Sequence, residues 1–477
     1  MPVHFGAAPR PLSTLAALVH LAIILASLLI YAIGTHAGGQ RRHPAAALAW
    51  VLTIALLPYV GLPLYLLLGT RKFVRPARRR HTVPELPATL SPDDPRAWAV
   101  ATLAGMGLAP PAAQAAIAVH EDGRTAWHAL LALIDGAERT LDICTYVLGG
   151  GPVGQTLAER LAARAAAGVQ VRLLIDTVGS WRTPRSLLRQ LRAAGVQVRW
   201  FMPLLHNPRR GRLNLRNHRK LAIADAQRLW SGGRNLAAEY FEGQAPDVPA
   251  WDDLSFTLHG PLATQAAAMF DALWDFDATP HAAPLAEAAL APRPGWVDAP
   301  HLAQLVPSGP DQAQDTVYEL LLTAVFRARR RVLAVTPYLV PDDSLLTALC
   351  LAARRGIEVD LLIPARSNHR LADVARARAL RDLAAAGARI WLAPRMNHAK
   401  AVVVDDTLAL CGSLNLDSRS LFLNFELMVA FYAAPDVAAL ARWIEQRLLS
   451  SHRYAPHRPS LARDIAEGLV RWLGFQI

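Results

Sequence analysis

Asn217-His218-Arg219-Lys220-Leu221-Ala222-Ile223-Ala224-Asp225 and Asn397-His398-Ala399-Lys400-Ala401-Val402-Val403-Val404-Asp405 are two copies of one pattern in this 477-residue chain. The second follows the first by 180 residues, and the offset persists beyond the Asp: Gly232 and Asn235 match Gly412 and Asn415. A single His-x-Lys carries little information. Two copies in register, each followed by a small-residue turn and an Asn, predict one bipartite site built from two similar halves.

Alternate side chains of an extended segment share a face, so a His and a Lys two apart point into the same space. The four apolar residues after each Lys read as a short buried strand. An imidazole beside an ammonium suits a phosphodiester: the ammonium neutralises non-bridging oxygens, while the imidazole attacks phosphorus or protonates a leaving alkoxide. Two facing couples give one nucleophile and one acid, and no metal or other cofactor is required.

Outward from the motifs the chain alternates strand and helix. In the first half strands are predicted at 140–148, 169–176 and 196–201, with helices at 153–167 and 184–194. The second half repeats the order, with strands at 332–340, 357–364 and 388–393 and helices at 343–355 and 371–386. This alternation predicts an α/β fold with mostly parallel sheets covered on both faces. Ala194-Gly195 and Ala386-Gly387 are 192 residues apart whereas the histidines are 180 apart, so the first half has twelve extra residues before its motif. Most of them fall in 202–212, with Leu204, Leu205, Arg209, Arg210 and Arg212. This loop either lines the site entrance against a lipid headgroup or is a solvated basic loop.

The N-terminal region is of another kind. Residues 12–33 carry no charged side chain, and 22 residues at ~1.5 Å each reach about 33 Å, enough to cross the hydrocarbon. Residues 44–69 form a second uncharged run, interrupted by Pro58 and Pro63, which either kinks across or dips and returns. No Asp or Glu precedes Glu85, while nine basic residues (Arg10, Arg41, Arg42, Arg71, Lys72, Arg75, Arg78, Arg79 and Arg80) do. The formal charge of +12 therefore leaves only +3 for the rest of the chain. A pI near 10.2 here reflects membrane flanks, not a nucleic-acid surface. The basic cluster 71–80 predicts a cytoplasmic C-terminal side for the second run, and so a hairpin with both ends cytoplasmic. His20 is expected to be a neutral polar residue at a helix contact. A mean hydropathy of +0.20 agrees with an integral membrane protein. The sequence thus divides into an anchor (1–80), a Pro/Ala-rich linker (81–117), two halves (118–300 and 301–455) and a C-terminal amphipathic helix (456–477). On that helix Leu461, Ile465, Leu469 and Trp472 share a face that either meets a bilayer or packs on the domain. Cys144, Cys350 and Cys411 are far apart in apolar runs and read as buried small hydrophobes.

With these strings in hand, together with Thr336-Pro337-Tyr338-Leu339-Val340-Pro341, Gly412-Ser413-Leu414-Asn415-Leu416-Asp417-Ser418-Arg419-Ser420 and Asn424-Phe425-Glu426, the chain resembles the phospholipase D superfamily. Within it the chain is similar to the bacterial cardiolipin synthases, from about residue 118 to the C-terminus. The resemblance implies two phospholipase D-type halves around one active site, with His218, Lys220, Asp225, His398, Lys400 and Asp405 as the catalytic motif residues. It implies His218 as nucleophile and His398 in proton transfer. Each His needs a carboxylate to fix its tautomer. The resemblance implies Glu426 for His398, and Asp253 for His218, in a Trp251-Asp252-Asp253 segment whose middle residue departs from the family's Trp-Arg-Asp. Asp225 and Asp405 are expected to brace the motif turn, and Asn235, Ser413 and Asn415 to bind phosphate oxygens. The implied reaction transfers a phosphatidyl group between two phosphatidylglycerol molecules, releasing glycerol, at the bacterial inner membrane, with a multi-pass anchor, a cytoplasmic catalytic region and no nucleic-acid partner. A membrane phospholipase D, or a transferase using another alcohol such as phosphatidylethanolamine, is the alternative.

Overall fold

In a computed structural model, the structure describes residues 11–37, 44–69, 72, 91, 93–203, 214–243, 245, 247–276, 299–464 and 467–468. The loop 202–212 lies outside them except for Met202 and Pro203, as do Ile465, Leu469 and Trp472.

The two halves repeat one sheet. In the first, seven strands run in the order Ala116–His120, Ser255–His259, Arg228–Gly232, Leu221–Ala224, Thr140–Thr145, Gln170–Asp176 and Gln197–Phe201. The second keeps that order with Leu302–Ser308, Glu426–Phe431, Leu408–Gly412, Ala401–Val404, Arg331–Val335, Glu358–Pro364 and Arg389–Ala393, and adds Ala112–Ala113 and His452–Arg453 at its edges. The expectation of mostly parallel sheets is corrected. Within these two sheets only the three strands linked by crossover helices pair in parallel. The motif strand and the strands beyond it pair antiparallel, and in each half a tight turn joins the motif strand to its next neighbour, as a short connection between antiparallel strands allows.

Both motif strands are apolar throughout because both faces are covered. Leu221 and Ile223 face a core shared by the two halves, while Ala222 and Ala224 face the first half's own helices. Ala401 and Val403 join the shared core, and Val402 and Val404 the helix-covered core of the second half. The shared core includes Phe256 against Phe431, with ring centroids 5.3 Å apart. The two sheets are therefore bonded into one body through their inner faces, which is what lets two distant motifs meet.

Asp225 and Asp405 do brace the fold, at the far end of those strands from the histidines. Each sits in the left-handed region, at φ 56° and 52°, which Asp tolerates better than most residues. The Asp225 carboxylate accepts the backbone N–H groups of Glu138, Arg139 and Thr140. Asp405 accepts those of Arg329, Arg330 and Arg331. Four strand residues separate each Asp from its Lys, a span of about 16 Å at the usual strand rise, which sets both carboxylates apart from the His–Lys couples.

Part of the expected linker is folded. Ala97–Gly105 is a helix whose Ala97, Ala99, Val100 and Leu103 enter the second half's core. Ala112–Ala113 pairs with Leu302–Ser308. Ala and Pro enrichment resembles a linker in composition, but small side chains also allow close helix packing. At the other end, Glu467 is buried and bonds Arg381 at 2.7 Å, leaving Leu461 exposed.

Of the two apolar runs only the first makes a helix of spanning length, Thr14–His36 within Pro11–Ala37. The second is broken at Leu57 (φ −134°, ψ 60°) into Pro44–Leu56 and Pro58–Leu68. It turns back: Tyr31 donates to Ala47 O, Tyr59 meets His20 at 3.2 Å, and Tyr65 returns to Thr35 at 3.3 Å. The turn is tight enough that a side chain at Gly61 would lie 2.8 Å from Thr53 O. The expected second span is thus a helix–turn–helix whose two ends lie at the same end of the first helix. Pro58 supplies the break, since it lacks the N–H that continuing the first short helix would use.

Asp405→Ala removes the acceptor of three backbone N–H groups and places Ala at positive φ. It is expected to lower unfolding stability by about 2 kcal/mol, read by denaturant or thermal melts in detergent, with Asp225→Ala losing a similar amount.

Candidate active site

The two motifs meet because each is hydrogen-bonded along its backbone to the other half. Asn217 pairs with Phe425 and Asn397 with Asp252 in parallel bridges. His218 N donates to Phe425 O at 2.9 Å, and His398 N donates to Asp252 O at 2.6 Å. The residue after each bridging partner then comes beside the imidazole.

This register crosses the orienting carboxylates. Glu426 accepts from His218 Nδ1 at 2.9 Å, and Asp253 accepts from His398 Nδ1 at 2.8 Å. The expected pairing, Glu426 with His398 and Asp253 with His218, is therefore reversed. Proximity along the chain suggested a partner within each half, whereas the inter-half bridges supply one from the opposite half. The departure at Asp252 does no harm to this arrangement. Its backbone makes the bridge, and its carboxylate points to Arg395 at 3.4 Å.

Both carboxylates are fully buried and further held. Glu426 also accepts from Ser413 Oγ and from Asn424 Nδ2 at 3.3 Å. Its backbone carbonyl receives Arg219 Nε at 3.0 Å, and that of Asp253 receives Arg234 Nη2. Two buried arginines of the first half thus fix the two residues that orient the imidazoles. With Nδ1 turned to a carboxylate, Nε2 is the nitrogen left for chemistry on each ring.

The ammonium groups sit against their histidines. Lys220 Nζ donates to His218 O at 2.6 Å, and Lys400 Nζ donates to His398 O and lies 3.0 Å from His398 Nε2. Burial pushes His218 down to about 4 and His398 down to about 3, with the ammonium groups adding to the effect and the carboxylates opposing it. Burial also lowers Lys220 to about 7 and Lys400 to about 8, against the pull of Glu426 and Asp253. Desolvation works to raise Asp253 and Glu426, but their hydrogen bonds to the histidines and the nearby positive charges hold both below the usual carboxylate range. At neutral pH the imidazoles are neutral and the mobile protons reside on the lysines. Each Lys responds to the other half's carboxylate, and Lys220 feels Lys400, so the two couples share one electrostatic site.

The other expected ligands divide. Ser413 is committed to Glu426. Asn235 accepts Val147 N at 3.2 Å and donates to the Tyr240 hydroxyl at 2.8 Å, so it braces the site. Asn415 is the member of the three with an unpartnered polar atom, its buried Oδ1. Sequence reasoning missed two aromatic walls. Tyr146 meets His218 and Tyr240 meets His398, each edge-on with centroids 5.0 Å apart. Tyr146 directly follows the strand Thr140–Thr145, so its position at a strand end was the available signal. Tyr240 lies in a short turn that carries no such mark. Among the described residues no group of three or more His, Cys, Asp or Glu side chains could hold a metal ion.

An anion entering this site favours the protonated imidazole and ammonium, raising their depressed pKa values. Binding of tungstate near pH 7 should therefore draw protons from solution. Calorimetry in buffers of different ionisation enthalpy reads this uptake, and binding without it would contradict neutral resting histidines.

Comparison with known proteins agrees with this geometry. The family profile described as "Cardiolipin synthase, PLD-like domain" matches residues 130–274 and 321–448, and "Phospholipase_D-nuclease N-terminal" matches 21–69. Cardiolipin synthase A of Pseudomonas entomophila (strain L48) is 33% identical over 426 residues, covering 86% of both chains. Cardiolipin synthase A of Pseudomonas aeruginosa (strain LESB58) is 31% identical over 437 residues, covering 88% of each. In fold, the chain is similar to the crystal structure of phosphatidylserine synthase from Haemophilus influenzae Rd KW20, with TM-score 0.62 at 13% identity, over 80% of this chain and 100% of that one. Two motif halves joined by crossed histidine–carboxylate pairs, and relatives matched over most of their length, make this chain a member of the cardiolipin synthase family within the phospholipase D superfamily.

Proposed function

We propose that the protein makes cardiolipin by transferring the phosphatidyl group of one phosphatidylglycerol to the terminal hydroxyl of a second. The observation that carries this reading is the crossed arrangement of two His–Lys couples at one buried site, with both Nε2 atoms left for chemistry. His218 Nε2 attacks phosphorus, forming the P–N bond as the P–O bond to glycerol breaks. The glycerol oxygen leaves with a proton from His398, which the bound phosphate anion favours in its protonated form. His398 then takes the proton of the incoming hydroxyl, whose oxygen attacks phosphorus and breaks the P–N bond. Lys220 and Lys400 neutralise the non-bridging oxygens, and Glu426 and Asp253 hold the rings and stabilise charge on them.

Transfer in place of hydrolysis requires that the second lipid occupy the position water would take. Purified full-length protein in detergent is expected to convert phosphatidylglycerol to cardiolipin and glycerol in equal amounts. Phosphatidic acid as the main product would make it a hydrolase, a product formed only with added phosphatidylethanolamine would change the acceptor, and DNA cleavage would overturn the lipid assignment. With phosphorus-labelled lipid, His398→Asn should accumulate covalent label and His218→Asn should not. The reverse pattern would exchange their roles.

The same reading puts the catalytic region on the cytoplasmic side of a bacterial inner membrane, anchored by one crossing helix and one returning segment. Supporting it, the basic residues Arg41, Arg42, Arg71, Lys72, Arg75, Arg78, Arg79 and Arg80 adjoin chain ends that lie together, leaving Arg10 alone at the other end of the crossing helix. A two-span hairpin would instead separate Arg41 and Arg42 from the rest. The native cysteines are buried, so single introduced cysteines report topology. His4→Cys should react with a membrane-impermeant maleimide from the periplasm, and Gly39→Cys and Thr70→Cys only from the cytoplasm. Periplasmic labelling of Gly39→Cys would restore the hairpin.

A further inference from the structure

The chain leaves the membrane segment at Leu68, and Lys72 four residues later does not point to solvent. Its ammonium donates to Gly309 O and Gln314 O, both at 3.0 Å, and pairs with Asp315 at 2.8 Å. All three partners lie in one loop, 309–315, between the strand Leu302–Ser308 and the helix Thr316–Arg327. Three contacts from one side chain close that loop like a clasp.

The same loop reaches the site from its other side. Asp311 pairs with Arg219 Nη2 at 2.8 Å. Arg219 is the residue between His218 and Lys220, is fully buried, and donates from Nε to the backbone carbonyl of Glu426. Gly309, at φ +139°, packs so closely on the Glu426 strand that a Cβ would lie 2.8 Å from Asn424 O and 2.9 Å from Phe425 Cα. Phe425 is the bridging partner of Asn217. Loop 309–315 therefore touches both strands that bring His218 and Glu426 together, and its free side is held by Lys72.

We infer that Lys72 is a positioning residue. By clasping loop 309–315 it presents Asp311 to Arg219 and so sets the alignment of His218 with Glu426, linking docking of the membrane segment to activity. The second motif has Ala399 where the first has Arg219, so this control acts on the His218 half. The inference rests on the proposed role of His218. A charge-assisted contact of this kind transmits geometry, and misplacement of a reacting group by about 1 Å costs on the order of a hundredfold in rate.

The test uses full-length protein in vesicles of phosphatidylglycerol and phosphatidylcholine. Lys72→Met is expected to lower kcat about tenfold or more with KM unchanged, and Lys72→Arg to recover most of the loss. Asp311→Asn should behave like Lys72→Met, and the double variant should fall no further than the worse single one, because both act through one loop. Hydrogen exchange gives a readout that needs no turnover: the amides of 309–315 and of 217–220 should exchange faster in Lys72→Met, while those of 397–400 keep their wild-type rates. Unchanged kcat in Lys72→Met, a loss confined to KM, additive single losses, or exchange at 217–220 equal to wild type would each overturn the inference. An inactive wild type would instead count against the proposed function, and the exchange measurement would still decide the role of Lys72.

Discussion

The structure turns on two hydrogen bonds that cross between the halves, Glu426 to His218 and Asp253 to His398. Each imidazole is positioned by a carboxylate from the opposite half, so neither half holds a complete couple by itself. The physical origin is backbone pairing. A parallel bridge joins each motif to the segment before the other half's carboxylate, and the register of that bridge decides which acid meets which base. Burying six ionisable groups in one place is costly unless each charge is matched. Here two lysines face two carboxylates, and the histidines are left neutral.

That balance explains how the site can act on a phosphodiester. In the resting enzyme protons are stored on ammonium groups whose pKa values are depressed toward neutrality, adjacent to imidazoles that lack them. In the proposed reaction an arriving phosphate anion shifts the balance toward protonated imidazole, next to the leaving oxygen. The buried arginines 219 and 234 take no direct part. They hold the backbone carbonyls of Glu426 and Asp253, which fixes the points from which the carboxylates reach the imidazoles. Tyr146 and Tyr240 each wall one ring edge-on, which keeps its orientation as the ring charge changes.

The anchor illustrates a different limit on local reasoning. Uncharged composition over 44–69 is compatible with a span, a kinked span or a return, since hydropathy measures the solvent and not the path. Contacts with the first helix at Ala47, Tyr59 and Tyr65 select the return. The folded Ala97–Gly105 helix makes the same point, because whether small residues are linker or packing surface depends on what lies opposite them.

The sequence by itself determined the repeat, the residue types of the chemistry, the order of strands and helices around each motif, and the bracing role of Asp225 and Asp405. These are local or periodic properties: alternation along a strand, the spacing of His and Lys, and the tolerance of Asp for a left-handed turn. Only the tertiary structure decided which carboxylate serves which histidine, that Ser413 and Asn235 brace the site, that Tyr146 and Tyr240 wall it, and that the second apolar run turns back. The carboxylate pairing and the Tyr240 wall depend on segments more than a hundred residues apart, the other contacts on strands brought together by the fold, and the anchor on packing between helices. No spacing within one half encodes them, since the partners are chosen by strand register and by a core that exists only once both sheets have met.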